Sequence, residues 1–141
     1  MQVFVPHELN DRYNEAFRRG SLEDLASLYE SEATLSPQPG ALVQGPQAIR
    51  ERLAVLLSLQ GELTANDERC VVSGDIALLS ASWQFVGSSL SGQSIRLCGS
   101  SSKVARRQSD GSWKYVIDLP LGTPSTDSRT SRWATGGEAA P

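Results

Sequence analysis

The spacing of apolar residues changes period once along the chain, from helical to alternating. Leu9, Tyr13, Ala16 and Phe17 recur at helical spacing. Pro6 suits the first turn before them, where its missing N–H costs nothing. Gly20 suits the stop, because only glycine enters the left-handed conformation there without strain. Ser21 then caps a second helix, with Asp24 three residues on and Leu22, Leu25, Leu28 and Tyr29 as its apolar stripe. Residues 33–36 read as a short strand, closed by Pro37-Gln38-Pro39-Gly40, with residues 42–44 as its returning partner. Gly45-Pro46 opens a third helix carrying Ile49, Leu53, Leu56 and Leu57 on one face, and Gly61 ends it. From Glu62 the period is two. It predicts strands over 63–72, 75–86, 94–107 and 112–119, with turns at 73–75, 87–92 and 109–111. Helices that precede the sheet, followed by an antiparallel meander, predict an α+β domain with N-terminal helices packed on a curved sheet.

The strand over 75–86 reports on both faces of that sheet. Ala77, Leu79, Ala81, Trp83 and Phe85 fall on one side. The other alternates Ser80, Ser82 and Gln84 with Ile76, Leu78 and Val86. One wholly apolar face and one mixed face fit a sheet covered by helices on one side and by a second copy of the chain on the other. A homodimer through the sheet is therefore expected. The chain divides into a domain over 1–122 and a tail over 123–141. The tail is rich in Ser, Thr, Gly and Ala, with Trp133 its one large apolar residue. It reads as an extension that is mobile or docks weakly.

Composition narrows the function. At 141 residues the chain is long enough for one core. The net charge is -3 and the densest basic run is only Arg106-Arg107, which argues against nucleic-acid binding. The apolar stretch at 53–59 is too short to span a bilayer, so no membrane partner is expected. The N-terminus lacks the basic and apolar regions of a secretory signal, which places the expected location in the cytoplasm. With one histidine and two cysteines at no metal spacing, no metal site is expected. No glycine-rich phosphate cradle is present either, so no cofactor is expected. Cys70 and Cys98 read as buried thiols. They sit on the first and third meander strands, about 10 Å apart and beyond disulfide reach.

Several segments carry a resemblance in their order and spacing. Arg12-Tyr13-Asn14-Glu15-Ala16-Phe17, Gly20-Ser21-Leu22, Leu28-Tyr29 and Ala33-Thr34-Leu35 look like the opening of NTF2-like proteins. Gln44-Gly45-Pro46-Gln47-Ala48-Ile49 resembles that family's entry to the third helix. Arg106-Arg107-Gln108, Asp110-Gly111-Ser112-Trp113-Lys114 and Val116-Ile117-Asp118 resemble the last hairpin of its SnoaL-like and DUF4440 branches. The resemblance runs from about His7 to Gly122. It implies a cone-shaped domain with a pocket between helices and sheet. It leaves function open among cyclases, isomerases, dehydratases, epoxide hydrolases and non-catalytic binding or dimerisation modules.

Which polar side chains reach that pocket decides between these. Tyr13 lies on the apolar stripe of helix one, where similar steroid isomerases carry a tyrosine that donates to a developing oxyanion. Asp118 alternates away from Trp113, Tyr115 and Ile117. The resemblance to SnoaL-like cyclases implies proton transfer by an aspartate from this region. Both also read as ordinary residues: Tyr13 as a satisfied core tyrosine, and Asp118 as a rim carboxylate in solvent or one paired with an arginine such as Arg96. Asn14, Phe17, Tyr29, Trp83, Phe85, Arg96 and Ser100 are expected to line the pocket, although Trp83 and Phe85 read also as core packing and Ser100-Ser101-Ser102 as a polar patch on a sheet face. The stretch Ala33-Thr34-Leu35-Ser36-Pro37 has no carboxylate where similar steroid isomerases carry their base. The only histidine, His7, precedes the helix, which weakens the dehydratase comparison. Asp118 and Arg96 supply two of the three groups an epoxide hydrolase needs. The expected ligand is a small hydrophobic metabolite bearing a carbonyl, of polyketide type. Cyclisation or isomerisation is the expected reaction, and a pure binding module is the alternative.

Overall fold

In the computed structural model the described residues are 1–123. A 3-10 turn, Pro6–Glu8, leads into α1 (Leu9–Arg19), α2 (Leu22–Ser27), β1 (Tyr29–Leu35), β2 (Val43–Gln44) and α3 (Pro46–Leu57). The meander follows as β3 (Gln60–Ser73), β4 (Ile76–Ser88), β5 (Ser94–Arg107) and β6 (Trp113–Thr123). The strands form one curved sheet of six in the order β2-β1-β6-β5-β4-β3. All neighbours are antiparallel except β1 and β6, which run parallel. This is the α+β architecture the pattern predicts.

Local chemistry explains most boundaries. Gly20 closes α1 at φ 69°, and the Ser21 hydroxyl accepts from the Asp24 N–H at 3.2 Å to start α2. Two expectations fail at boundaries. Tyr29 does not belong to the second helix; it opens β1 opposite Tyr115. Gly61 does not stop α3, which is already capped at Ser58. Instead Gly61 pairs with Gly87 across β3 and β4. A Cβ on Gly61 would lie 2.4 Å from the Val86 carbonyl oxygen and 2.8 Å from the Phe85 ring, so both glycines serve close approach rather than punctuation.

The concave face of the sheet is shared between a packed core and a cavity. At one end Leu9, Leu25, Leu28, Ile49 and Leu53 bury against Ala77, Leu79, Ala105, Trp113 and Tyr115. The convex face has no cover among the described residues. There Val71, Leu78, Val104 and Ile117 stand opposite one another as a row across four strands. Val71, Leu78 and Ile117 are exposed. Cys70 and Cys98 are exposed free thiols, contrary to the expectation of burial. Cys70 lies opposite Leu79 and Cys98 opposite Gln84, with β4 between them. Among the described residues no helix is long and apolar enough to cross a membrane. The tail expected from residue 123, with Trp133, lies outside the described residues beyond Thr123, which still pairs with Ser100.

Candidate functional site

The other end of the concave face encloses a cavity of about 310 Å³. Its roof comes from α1 and α3. Asn10, Tyr13, Asn14 and Phe17 follow one helical face of α1, while Arg52, Leu53 and Leu56 come from α3. Its floor is the sheet, with Tyr29, Leu35, Ala81, Trp83, Phe85, Ser101, Lys103 and Asp118 among the lining residues. Trp83 and Phe85 form walls without filling the space. Trp83 Nε1 donates to the Pro120 carbonyl at 2.8 Å, and Phe85 meets Phe17 edge-on at 6.2 Å between ring centroids.

A single bulge aims the polar end of this cavity. Opposite β5, Tyr115 pairs with Ala105 but Ile117 pairs with Val104, so Val116 is an extra residue in β6. Simple alternation would turn Asp118 away from Tyr115. The bulge resets the phase, so Ile117 faces outward and Asp118 returns inward beside Lys103 of β5 and Leu35 of β1. Asp118 is 3% exposed, so the solvated rim carboxylate foreseen as one alternative does not exist.

The carboxylate has two different oxygens. Oδ2 accepts a hydrogen bond from the Tyr29 hydroxyl at 2.5 Å. Oδ1 is buried and accepts none, with the Lys103 ammonium 3.7 Å away as its nearest charged partner. That ammonium also lies 4.3 Å from the centroid of the Tyr13 ring and 4.6 Å from that of Tyr115. Ring quadrupoles attract a cation in this position. Tyr115 in turn donates to Asn10 Oδ1 at 2.6 Å, and Asn10 Nδ2 donates to Asp67 at 2.9 Å.

All three tyrosines of the chain meet here, and each phenol is pushed above its ordinary range. Burial is the largest cause in each case, followed by the negative charge of Asp118. Arg52 and a hydrogen bond with Tyr29 pull Tyr13 partly back. The phenols therefore remain neutral donors at any physiological pH.

Of the residues singled out from sequence, Asp118, Tyr13, Asn14, Phe17, Tyr29, Trp83 and Phe85 line the cavity. Arg96 and Ser100 do not. Arg96 is exposed on the convex face opposite Val86, and Ser100 faces the same way opposite Ser82. The strand phase puts Ser101 and Lys103 inside instead. Arg96 is thus no partner for Asp118, and Asp118 is the one carboxylate among the described residues of the lining. Among the described residues the carboxylate–arginine–carboxylate set of an epoxide hydrolase is not assembled.

Residues 10–116 match the model of the SnoaL-like domain. The chain belongs to the SnoaL-like family. Solved structures of the NTF2-like fold resemble it closely in shape and weakly in sequence. A ketosteroid isomerase-like protein from Erwinia carotovora atroseptica superposes with a TM-score of 0.73 at 16% identity, covering 80% of this chain and 89% of its own. An NTF2-like superfamily protein from Salmonella enterica gives 0.70 at 19% identity, covering 84% and 89%. A provisionally assigned dehydratase of the NTF2-like family from Streptomyces avermitilis gives 0.67 at 18% identity, covering 84% and 95%. At such identities the likeness supports the fold alone. No curated protein matches the chain by sequence.

Proposed function

We propose that this SnoaL-like domain is a cofactor-independent enzyme that moves a proton beside the carbonyl of a small hydrophobic metabolite, and so isomerises or cyclises it. The observation that carries the reading is Asp118 Oδ1, a buried carboxylate oxygen at the cavity that accepts no hydrogen bond from the protein. Buried acceptors are nearly always satisfied, so a free one at a cavity is a vacancy for substrate. Tyr29 holds the other oxygen and fixes the carboxylate plane.

The chemistry follows from the geometry. Oδ1 takes a proton from the carbon next to the carbonyl, and the C–H electron pair becomes the enolate double bond. Negative charge moves to the carbonyl oxygen, where the Tyr13 hydroxyl and the Lys103 ammonium stabilise it. Oδ1 has almost no accessible surface, so the substrate displaces the ammonium from beside it, and the ammonium follows the charge. Return of the proton to another carbon gives an isomer; attack of the enolate carbon on a second carbonyl closes a ring. A polyketide-like substrate would offer both groups. A non-catalytic binding module would need neither the free oxygen nor the ammonium beside it.

Deuterium uptake at the α-carbon of 1-tetralone in D2O, followed by NMR, tests the proposal. Wild type should accelerate it. Asp118→Asn should lose at least ~100-fold of that acceleration, the ordinary contribution of one general base, while still binding the ketone. Tyr13→Phe should lose about 10-fold to 100-fold. Equal exchange with all three proteins would leave a binding module and remove the catalytic roles.

We propose also that two copies pair through the convex face. The apolar row of Val71, Leu78, Val104 and Ile117 would otherwise face water. Light scattering at micromolar concentration should give twice the chain mass, and Leu78→Glu should give monomer. A monomeric wild type would refute the pairing.

A further inference from the structure

The cavity has one more positive charge than its own residues use. Its charged lining residues are Arg52, Lys103 and Asp118. Lys103 and Asp118 form an ion pair, which leaves the Arg52 guanidinium. Arg52 is half-buried on α3 and forms no ion pair with any described residue. Arg12, Arg19, Arg50, Arg106 and Arg107 each pair with a carboxylate, while Arg18, Arg69 and Arg96, which form no ion pair either, are exposed and lie outside the cavity lining. Even Arg50, two residues away, turns outward to Glu23. The positions one turn either side of Arg52, namely Ala48, Ile49, Val55 and Leu56, are apolar. Lining that is otherwise mostly leucine, phenylalanine, tryptophan and tyrosine makes a poor solvent for an unmatched cation.

We infer that the cavity takes an apolar monoanion whose carboxylate pairs with the Arg52 guanidinium, so that the substrate class is a hydrophobic oxo acid rather than a neutral ketone. A carboxylate fits the planar fork of a guanidinium with two parallel hydrogen bonds. One negative charge balances the lining; a phosphate dianion would leave a negative surplus in an apolar space. The two cations then divide the work. Arg52 fixes the end of the substrate that does not react, and Lys103 with Tyr13 receives the oxygen that does. Tyr13 and Arg52 line the same cavity, from α1 and α3, so both recognition points face one substrate. Binding energy from the carboxylate would thereby hold the carbonyl at the base.

This inference rests on the cavity being the substrate site, and a matched pair of probes separates the two claims. Naphthalene-2-carboxylate and naphthalene-2-carboxamide have nearly the same shape and differ in charge. Titration calorimetry at pH 7 with the full chain should show the carboxylate binding at least 10-fold more tightly than the amide. Arg52→Gln should abolish that preference, lowering carboxylate affinity far more than amide affinity. Arg52→Lys, which keeps the charge and loses the fork, should retain part of it. Equal binding of both probes to wild type, or a preference that survives in Arg52→Gln, would overturn the role of Arg52 while leaving the cavity as a binding site. Failure of both probes to bind would remove the cavity reading and this inference together.

Discussion

Replacing Lys103 by Met tests the central pair, because it removes the charge and keeps the stem. The ammonium and Asp118 are 3.7 Å apart, with side chains 9% and 4% exposed. At an effective dielectric constant of about 20 that separation corresponds to roughly 4 kcal/mol of attraction. The faces of Tyr13 and Tyr115 add about 0.5–2 kcal/mol of cation–π attraction. Desolvation of both ions offsets much of this in the native protein, so the pair's net worth is small. The loss in the variant is not small, since Asp118 is left buried and uncompensated, at a cost of about 3–5 kcal/mol. Against a total stability of about 5–15 kcal/mol this is a large share. Urea unfolding followed by circular dichroism should show the midpoint falling with an unchanged slope. Adding Asp118→Asn should recover most of the loss, because the stranded charge is gone. A Lys103→Met variant weakened by less than about 1 kcal/mol would mean that the pair is screened as surface pairs are, and the dry, charge-sensitive site argued above would not exist.

The three tyrosines give a second test. Their folded-state pKa values are raised, so the stability they contribute is fully present below the unfolded phenol value of about 10 and is lost as pH rises above it. Tyrosinate absorbance at 295 nm should therefore rise together with unfolding by circular dichroism; a tyrosine titrating near pH 10 in a still-folded protein would contradict the burial argument. Tyr29→Phe removes the donor to Asp118 Oδ2 and should cost about 1–3 kcal/mol in urea unfolding, since the buried oxygen is left without its hydrogen bond. A loss under about 0.5 kcal/mol would mean that another donor moves in, and that Tyr29 does not set the carboxylate plane. The thiols of Cys70 and Cys98 should both react with a disulfide reagent in the folded protein, Cys70 more slowly than a free thiol because burial and then Asp67 raise its pKa. Protection of both in the native state would contradict their exposure.

The order of elements was legible because it rests on period, and period survives from one end of a strand to the other. The change at Glu62, the caps at Gly20 and Ser21 and the four long strands are all of that kind. Phase is different. It is reset by every bulge, and no residue type in Tyr115-Val116-Ile117-Asp118 announces one. Alternation alone assigned Asp118 to the face opposite Tyr115, and the bulge at Val116 puts them on the same face. A further insertion at Pro120-Leu121-Gly122, between the pairs of Leu119 with Ser102 and Thr123 with Ser100, turns the Pro120 carbonyl toward Trp83. In β5 the phase could have been carried from Ala105 back to Lys103 and Ser101. A lysine in a strand is read as solvated by default, and that default hid Lys103. Arg96 and Ser100 have the opposite phase on that strand, which puts both on the convex face opposite Val86 and Ser82. The same register argument shows how narrowly the site depends on one residue. Without Val116, β6 would either keep Tyr115 against the core and turn Asp118 out, or keep Asp118 beside Lys103 and turn Tyr115 out of a position that is fully buried. The first choice strands Lys103 and the second empties the core. The bulge is what allows a packed core and a charged cavity to share one strand.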